Sequence, residues 1–233
     1  NPLLEDVETL NIWALQKRLD VTKLSFHALG HVLDEYCVLR AGSALGRGCG
    51  PLLVSARPLD ITTEGSLKIG IPGKYTTASL LFQMYAPQCT NLIEMRFEGI
   101  MKAITKGEID AGVIIHESRF TYAQEGLVCL QDLGQWWEEI SGQPIPLGCI
   151  AARRSLGKKT ITAIDRAIRE SLEMAYKNPQ RCLPCIRQHS QEIDEKVVQD
   201  HIGLYVNEYS KELGDEGLNA VTSFLTRGRE AGG

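Results

Sequence analysis

Ala111-Gly112-Val113-Ile114-Ile115-His116 is the stretch on which the fold turns. Its first five residues are small or branched and apolar without alternation, the pattern of a strand buried on both faces, as inside a parallel sheet. Upstream, Leu67-Lys68-Ile69-Gly70-Ile71 is also strand-like and stops at Pro72-Gly73. A helix is expected from Thr76-Thr77 through Met84, a strand over 92–97 and another helix over 99–106. Strands that alternate with helices in this way imply right-handed crossovers and a parallel sheet.

Working outward, residues 5–19 form an amphipathic pattern with Val7, Leu10 and Ala14 on one stripe. Val21-Thr22-Lys23-Leu24-Ser25 alternates as a strand does. Residues 26–36 read as helix and 37–40 as strand. A glycine cluster (Gly42, Gly46, Gly48, Gly50) then leads into the strand-like Leu52-Leu53-Val54. Residues 133–140 should be helical and are stopped by Pro144-Ile145-Pro146. Beyond Arg154, helices are expected over 161–176, 180–189, 195–209 and 216–225. The fold class is α/β, with an inserted lobe over 58–146. Residues 1–57 and 147–233 together make the other lobe. Two crossing strands would join the lobes and leave a cleft, the usual place for a ligand.

Bulk composition excludes several function classes. Of 233 residues, 43% are hydrophobic and 23% charged, and the net charge is −4. There is no basic run to neutralise phosphates, so nucleic acid is excluded as a partner. No apolar stretch approaches the roughly 18 residues that span a bilayer. The seven cysteines are an odd, scattered set, which fits free thiols in a reducing cytoplasm better than a disulfide framework. Asn1-Pro2 opens the chain without a methionine, as in a processed or truncated sequence.

Few side chains are placed for chemistry. His116 follows the apolar strand at its carboxyl end, where open α/β sheets bind ligands. Its imidazole can take up and return a proton near neutrality; the alternative is a structural histidine at a strand end. Thr76-Thr77-Ala78 opens a helix after Gly73, and a helix N-terminus favours a carboxylate, although threonine there is also an ordinary N-cap. Gly46-Arg47-Gly48-Cys49-Gly50 lacks the Lys-Ser/Thr of a phosphate loop and reads as a tight turn or interlobe segment. His27 and His31 share a helix face, but no third ligand accompanies them, so a structural or solvent-facing pair is expected rather than a metal site. Cys182-x-x-Cys185 likewise lacks a second ligand pair. Trp136-Trp137 reads as core plus lobe surface, with one indole able to wall an aromatic ligand.

The block Ile114-Ile115-His116-Glu117-Ser118-Arg119-Phe120-Thr121-Tyr122 resembles the 1,4-dihydroxy-6-naphthoate synthases of the futalosine route to menaquinone. Leu4-Glu5-Asp6-Val7-Glu8-Thr9-Leu10-Asn11, Thr22-Lys23-Leu24-Ser25, Gly46-Arg47-Gly48 and Pro146-Leu147-Gly148 extend the resemblance along nearly the whole chain, in order. It implies a two-lobed fold with a central cleft, like the type II periplasmic binding proteins. The implied reaction converts cyclic dehypoxanthine futalosine to 1,4-dihydroxy-6-naphthoate by carbon–carbon cleavage, without a redox cofactor. No cofactor is expected, and no metal either, since the sequence shows no ligand set of catalytic zinc type. His116 would be the proton acceptor, while Lys23, Leu24 and Ser25, with Thr76, Thr77 and Ala78, would hold a small aromatic carboxylate. Family members begin with a strand and a Pro-Asn-Asp-Thr loop that line the cleft, and this sequence starts downstream of both. Chorismate dehydratase of the same pathway and a non-catalytic solute-binding protein are the alternatives.

Overall fold

The chain builds two sheets in this computed structural model, which describes residues 3–61, 63, 66–189 and 194–232. Asn1 and Pro2, with the reading placed on them, lie outside the described residues. Helix α1 (Val7–Leu15) starts where Asp6 accepts the N–H groups of Glu8 and Thr9. It is followed by β1 (Val21–Ser25), α2 (Phe26–Gly30), β2 (Tyr36–Val38) and β3 (Ala44–Gly46). β4 (Leu52–Ser55) passes into the second sheet, which also holds β5 (Ile69–Ile71), β6 (Leu92–Glu94), β7 (Ala111–Ile114) and β8 (Val128–Asp132). Helices α3 (Thr77–Tyr85), α4 (Phe97–Thr105) and α5 (Ser118–Thr121) lie between these strands, and α6 (Leu133–Ser141) follows them. β9 (Ile145–Arg153) returns to the first sheet. The chain then continues as α7 (Gly157–Lys177), α8 (Leu183–His189), α9 (Glu195–Tyr205), α10 (Glu208–Lys211) and α11 (Gly214–Glu230).

The second sheet has the order β6-β5-β7-β4-β8. All four residues of β7 are buried, as a strand covered on both faces requires. β5, β6 and β7 are parallel, as the β–α alternation implies. β4 runs antiparallel to both β7 and β8, so the sheet is mixed rather than parallel. The crossover logic holds only within the β5-α3-β6-α4-β7 run. β4 enters from the other sheet before that run begins, and antiparallel pairing needs no crossover helix. The α4 side chains Phe97, Ile100, Ala103 and Ile104 recur every three or four residues and bury one face on this sheet. Gly112 admits the helix: a Cβ there would sit 2.4 Å from Ile100 Cγ2.

β9 is the centre of the four-stranded first sheet, antiparallel to β1, β2 and β3. From sequence, Pro144-Ile145-Pro146 is expected only to stop a helix, because proline is rarely found inside a central strand. Pro146 is tolerated near the strand's start, beside an irregularity in the β3 register. The helix expected over 26–36 ends at Gly30, a poor helix former, and the chain turns to bury Tyr36 in β2. The helix expected over 195–209 breaks after Tyr205, where Asn207 caps α10 with Ser210 in a reciprocal capping box. β4 belongs to the five-stranded sheet although it lies within residues 1–57.

Gly112→Ala should force α4 off the sheet or strain Ile100. A loss of about 1–3 kcal/mol, the usual cost of overpacking, is expected as a lowered urea midpoint with unchanged slope.

Candidate active site

Between the two sheets lies a cleft enclosing about 690 Å³ of empty space, its mouth included. Lys23, Leu24 and Ser25 reach it from β1, Thr76, Thr77 and Ala78 from the start of α3, and His116 from the loop after β7. These seven residues were singled out from three separate segments, and all of them line this one cavity. Val7, Cys49, Tyr205 and His201 also line it, although no sequence pattern marks them as cleft residues. His201 and Tyr205 are four apart on α9, hence on one face, but α9 carries no motif that marks it as a cleft wall.

His116 sits two residues past the end of β7 with φ +56, the left-handed region. This conformation is uncommon outside glycine, and histidine is one of the residues enriched there. The turn that holds it is clamped by Arg119. The guanidinium donates to the Gly50 carbonyl at 2.6 Å and to Asp132 Oδ2 at 2.6 Å. Asp132 Oδ1 in turn accepts the first N–H groups of α6, from Gly134 and Gln135. The imidazole packs edge-on against Phe97 and His201, with ring centroids 5.1 and 6.1 Å away. Burial, then Lys23 and His201, push its pKa down to about 3. The ring is therefore neutral at pH 7 and carries a free lone pair.

Lys23 stays reachable by water through the cleft, yet protein surrounds it closely enough for desolvation to lower its pKa. Among the described residues no acidic side chain pairs with it. An uncompensated cation in a cleft favours an anionic guest.

The facing wall is held by a buried polar network rooted in α1. Asn11 accepts the Ser25 N–H through Oδ1, at 2.9 Å, and donates through Nδ2 to Ser25 Oγ and Glu8 Oε2. Glu8 Oε1 accepts the Tyr75 N–H at 2.9 Å, next to the start of α3. Burial raises the Glu8 pKa, and the Tyr75 and Asn11 bonds oppose it. Gly73, at φ +134, gives Glu8 its room, since a Cβ there would lie 2.4 Å from Glu8 Cγ. Thr76 caps α3 by accepting from Ser79 N–H. The Thr77 hydroxyl donates to the Leu147 carbonyl at 2.7 Å, so its proton is committed to β9. What α3 offers a ligand is thus its first backbone N–H groups and its dipole.

Of the remaining sequence motifs, Cys49 of the glycine cluster and Leu147-Gly148 reach the cleft. In the glycine cluster Gly48 donates to Glu138 and Arg47 to the Gly142 carbonyl, which makes a tight turn linking the sheets. Burial lifts the Cys49 pKa to about 12. Trp137 is fully buried against Phe224, and Trp136 packs on Tyr85, neither of them lining the cleft. Cys182 and Cys185 are free thiols, the first half-buried and the second exposed. Among the described residues no group of three His, Cys, Asp or Glu converges as a metal site, and no helix is long and apolar enough to cross a membrane.

Two α/β layers closing on a ligand-sized cleft define a periplasmic-binding-protein-like class. A Candida albicans protein described as having the generic periplasmic binding protein fold superposes with a TM-score of 0.63 at 12% identity, covering 98% of this chain and 78% of its own. A solved Archaeoglobus fulgidus protein superposes with a TM-score of 0.93 at 34% identity, covering 99% and 86%. A protein of Thermus thermophilus named 1,4-dihydroxy-6-naphthoate synthase is 48% identical over 231 residues, 99% of this chain and 84% of that one. The menaquinone biosynthesis family matches residues 1–230, and the chain belongs to it.

Glu8→Gln keeps the shape but turns an amide donor toward the Asn11 amide. Loss of one buried charge-assisted bond should cost about 1–3 kcal/mol, read as a lower Tm. A second expectation concerns acid. His116 at about 3 and His27 at about 4 stay unprotonated in the folded chain well below pH 6.5, and His201 is shifted in the same direction, whereas each imidazole takes a proton near 6.5 when unfolded. Between these values the unfolded state binds more protons, so stability must fall as pH falls below 6.5. Glu8, raised from 4.5, works in the opposite sense just above that pH, as one group against three. Urea midpoints from pH 7.5 to 4.5 should show the decline, and His116→Gln should make it shallower.

Proposed function

We propose that the chain is a 1,4-dihydroxy-6-naphthoate synthase, a cofactor-independent carbon–carbon lyase acting on cyclic dehypoxanthine futalosine in the cytoplasm. The observation that carries this reading is the meeting of His116 with Lys23, Leu24, Ser25, Thr76, Thr77 and Ala78 around one cleft. The family supports the pathway, and the name of the Thermus thermophilus relative supports the reaction. The free cysteines fit a reducing compartment. The lobes divide as residues 1–57 with 147–233 against 58–146, except that β4 supplies a strand to the inserted lobe's sheet.

In this reading the substrate carboxylate docks at the first N–H groups of α3, with the Lys23 ammonium close to the reacting centre. His116 takes the proton whose loss starts the elimination of the sugar-derived fragment, and aromatisation of the ring drives the step forward. Burial, then the Lys23 and His201 charges, hold His116 below the ideal basicity for this task. A bound anion offsets the Lys23 part of that shift. The substrate's own charge thus works in favour of the base.

Incubation with cyclic dehypoxanthine futalosine should yield the naphthoate chromophore. Neither a chorismate dehydratase nor a solute-binding protein would produce it. His116→Ala should lower kcat by about 10²–10⁴-fold, the usual contribution of a positioned general base. His116→Gln should be almost as slow, with KM changing less than kcat. A Gln variant with near-native kcat would remove His116 from the role of base.

A further inference from the structure

His27 and His31, a turn apart at α2, are not used by the chemistry above, and the distances around them assign their protons. His27 Nδ1 lies 3.2 Å from the Thr76 carbonyl oxygen. A carbonyl only accepts, so Nδ1 carries the hydrogen. His27 is neutral, because burial and then His31 push its pKa down to about 4. Its Nε2 is therefore a bare acceptor, and His31 Nε2 faces it at 3.2 Å. His31 must donate there. The chain runs one way: His31 Nε2–H to His27, and His27 Nδ1–H to Thr76.

We propose that His27, oriented by His31, is a positioning residue that aims the Thr77 amide N–H at the substrate's carboxylate. The link is a single peptide plane. Thr76 C=O and Thr77 N–H belong to one planar trans unit and point in opposite directions, so fixing the oxygen fixes the N–H. Thr76 O also accepts from Leu80 N–H at 3.2 Å, which leaves two donors holding the plane. Thr77 is the first residue of α3, so its N–H has no acceptor within the helix and the cleft lies in front of it. Thr76 and His27 are 2% and 6% exposed, so water does not replace the bond. The proposal rests on the reading that a carboxylate docks at α3.

The test compares His27→Leu, which has no donor, with His27→Asn, whose amide nitrogen stands near the place of Nδ1. KM and kcat are measured with cyclic dehypoxanthine futalosine, and Kd with 1,4-dihydroxy-6-naphthoate as probe. His27→Leu should raise KM and Kd about five- to tenfold, the worth of one hydrogen bond, and change kcat by less than about twofold. His27→Asn should stay within about twofold of the native protein in all three. Nitrogen NMR of the ligand-free protein should show His27 protonated at Nδ1 and bare at Nε2, and this readout decides the matter even if the Leu variant does not fold. An Nε2–H tautomer, or a folded Leu variant with native KM and Kd, would overturn the proposal. If the native protein makes no naphthoate while probe affinity still falls in His27→Leu and recovers in His27→Asn, the functional reading fails and the positioning role stands.

Discussion

The buried carboxylate of Glu8 is the constraint on which the cleft depends. A carboxylate this far from water persists only if its oxygens are fully engaged, and here they are engaged by the two segments that line the cleft. One oxygen takes the Tyr75 N–H beside α3, and the other takes Asn11, which also grips Ser25 at the end of β1. A single α1 residue therefore sets the distance between the two elements. The requirement that Gly73 lack a side chain follows from the same carboxylate.

On the opposite side, the Arg119–Asp132 pair plays the matching part for His116. Both side chains are mostly buried, and each makes contacts beyond the ion pair itself: Arg119 to Gly50, and Asp132 to the start of α6. Removing either partner would leave a desolvated charge, which is more damaging than loss of an exposed bridge such as Lys17–Glu35. His116 is thus held by a brace that joins α5 to Gly50, the end of β8 and the start of α6, and the histidine keeps an uncommon backbone conformation because the structure around it is fixed.

Much of this was legible in the sequence. The apolar run of β7 and the β–α alternation around it located the second sheet, and the end of that run located His116. The specific block His116-Glu117-Ser118-Arg119-Phe120-Thr121-Tyr122 led to the family. What escaped has physical reasons. β9 is hidden because Pro144 before it and Pro146 within it signal a break, while its pairing is decided by partners more than a hundred residues away. β4 was read as a strand, but its direction depends on which sheet it joins, which local pattern cannot encode. The hydroxyl of Thr77 looked like a ligand contact, and its commitment to Leu147 follows only from the return of β9. His201 and Tyr205 entered the cleft through the packing of α9, whose own residues show ordinary amphipathic spacing.

The position of β9 has a kinetic consequence. The five-stranded sheet is built from one continuous stretch, β4 to β8, so its contacts can close while the rest of the chain is still unfolded. The four-stranded sheet cannot, because β1, β2 and β3 pair with β9 and not with one another. Val21 must wait for Ala152. Loops of this length close slowly, and unpaired strands exposed in the interval invite misassembly. During synthesis from the N-terminus the inserted sheet should therefore assemble first and serve as the platform on which the discontinuous one is completed. The cleft, which needs both, is the last feature to form.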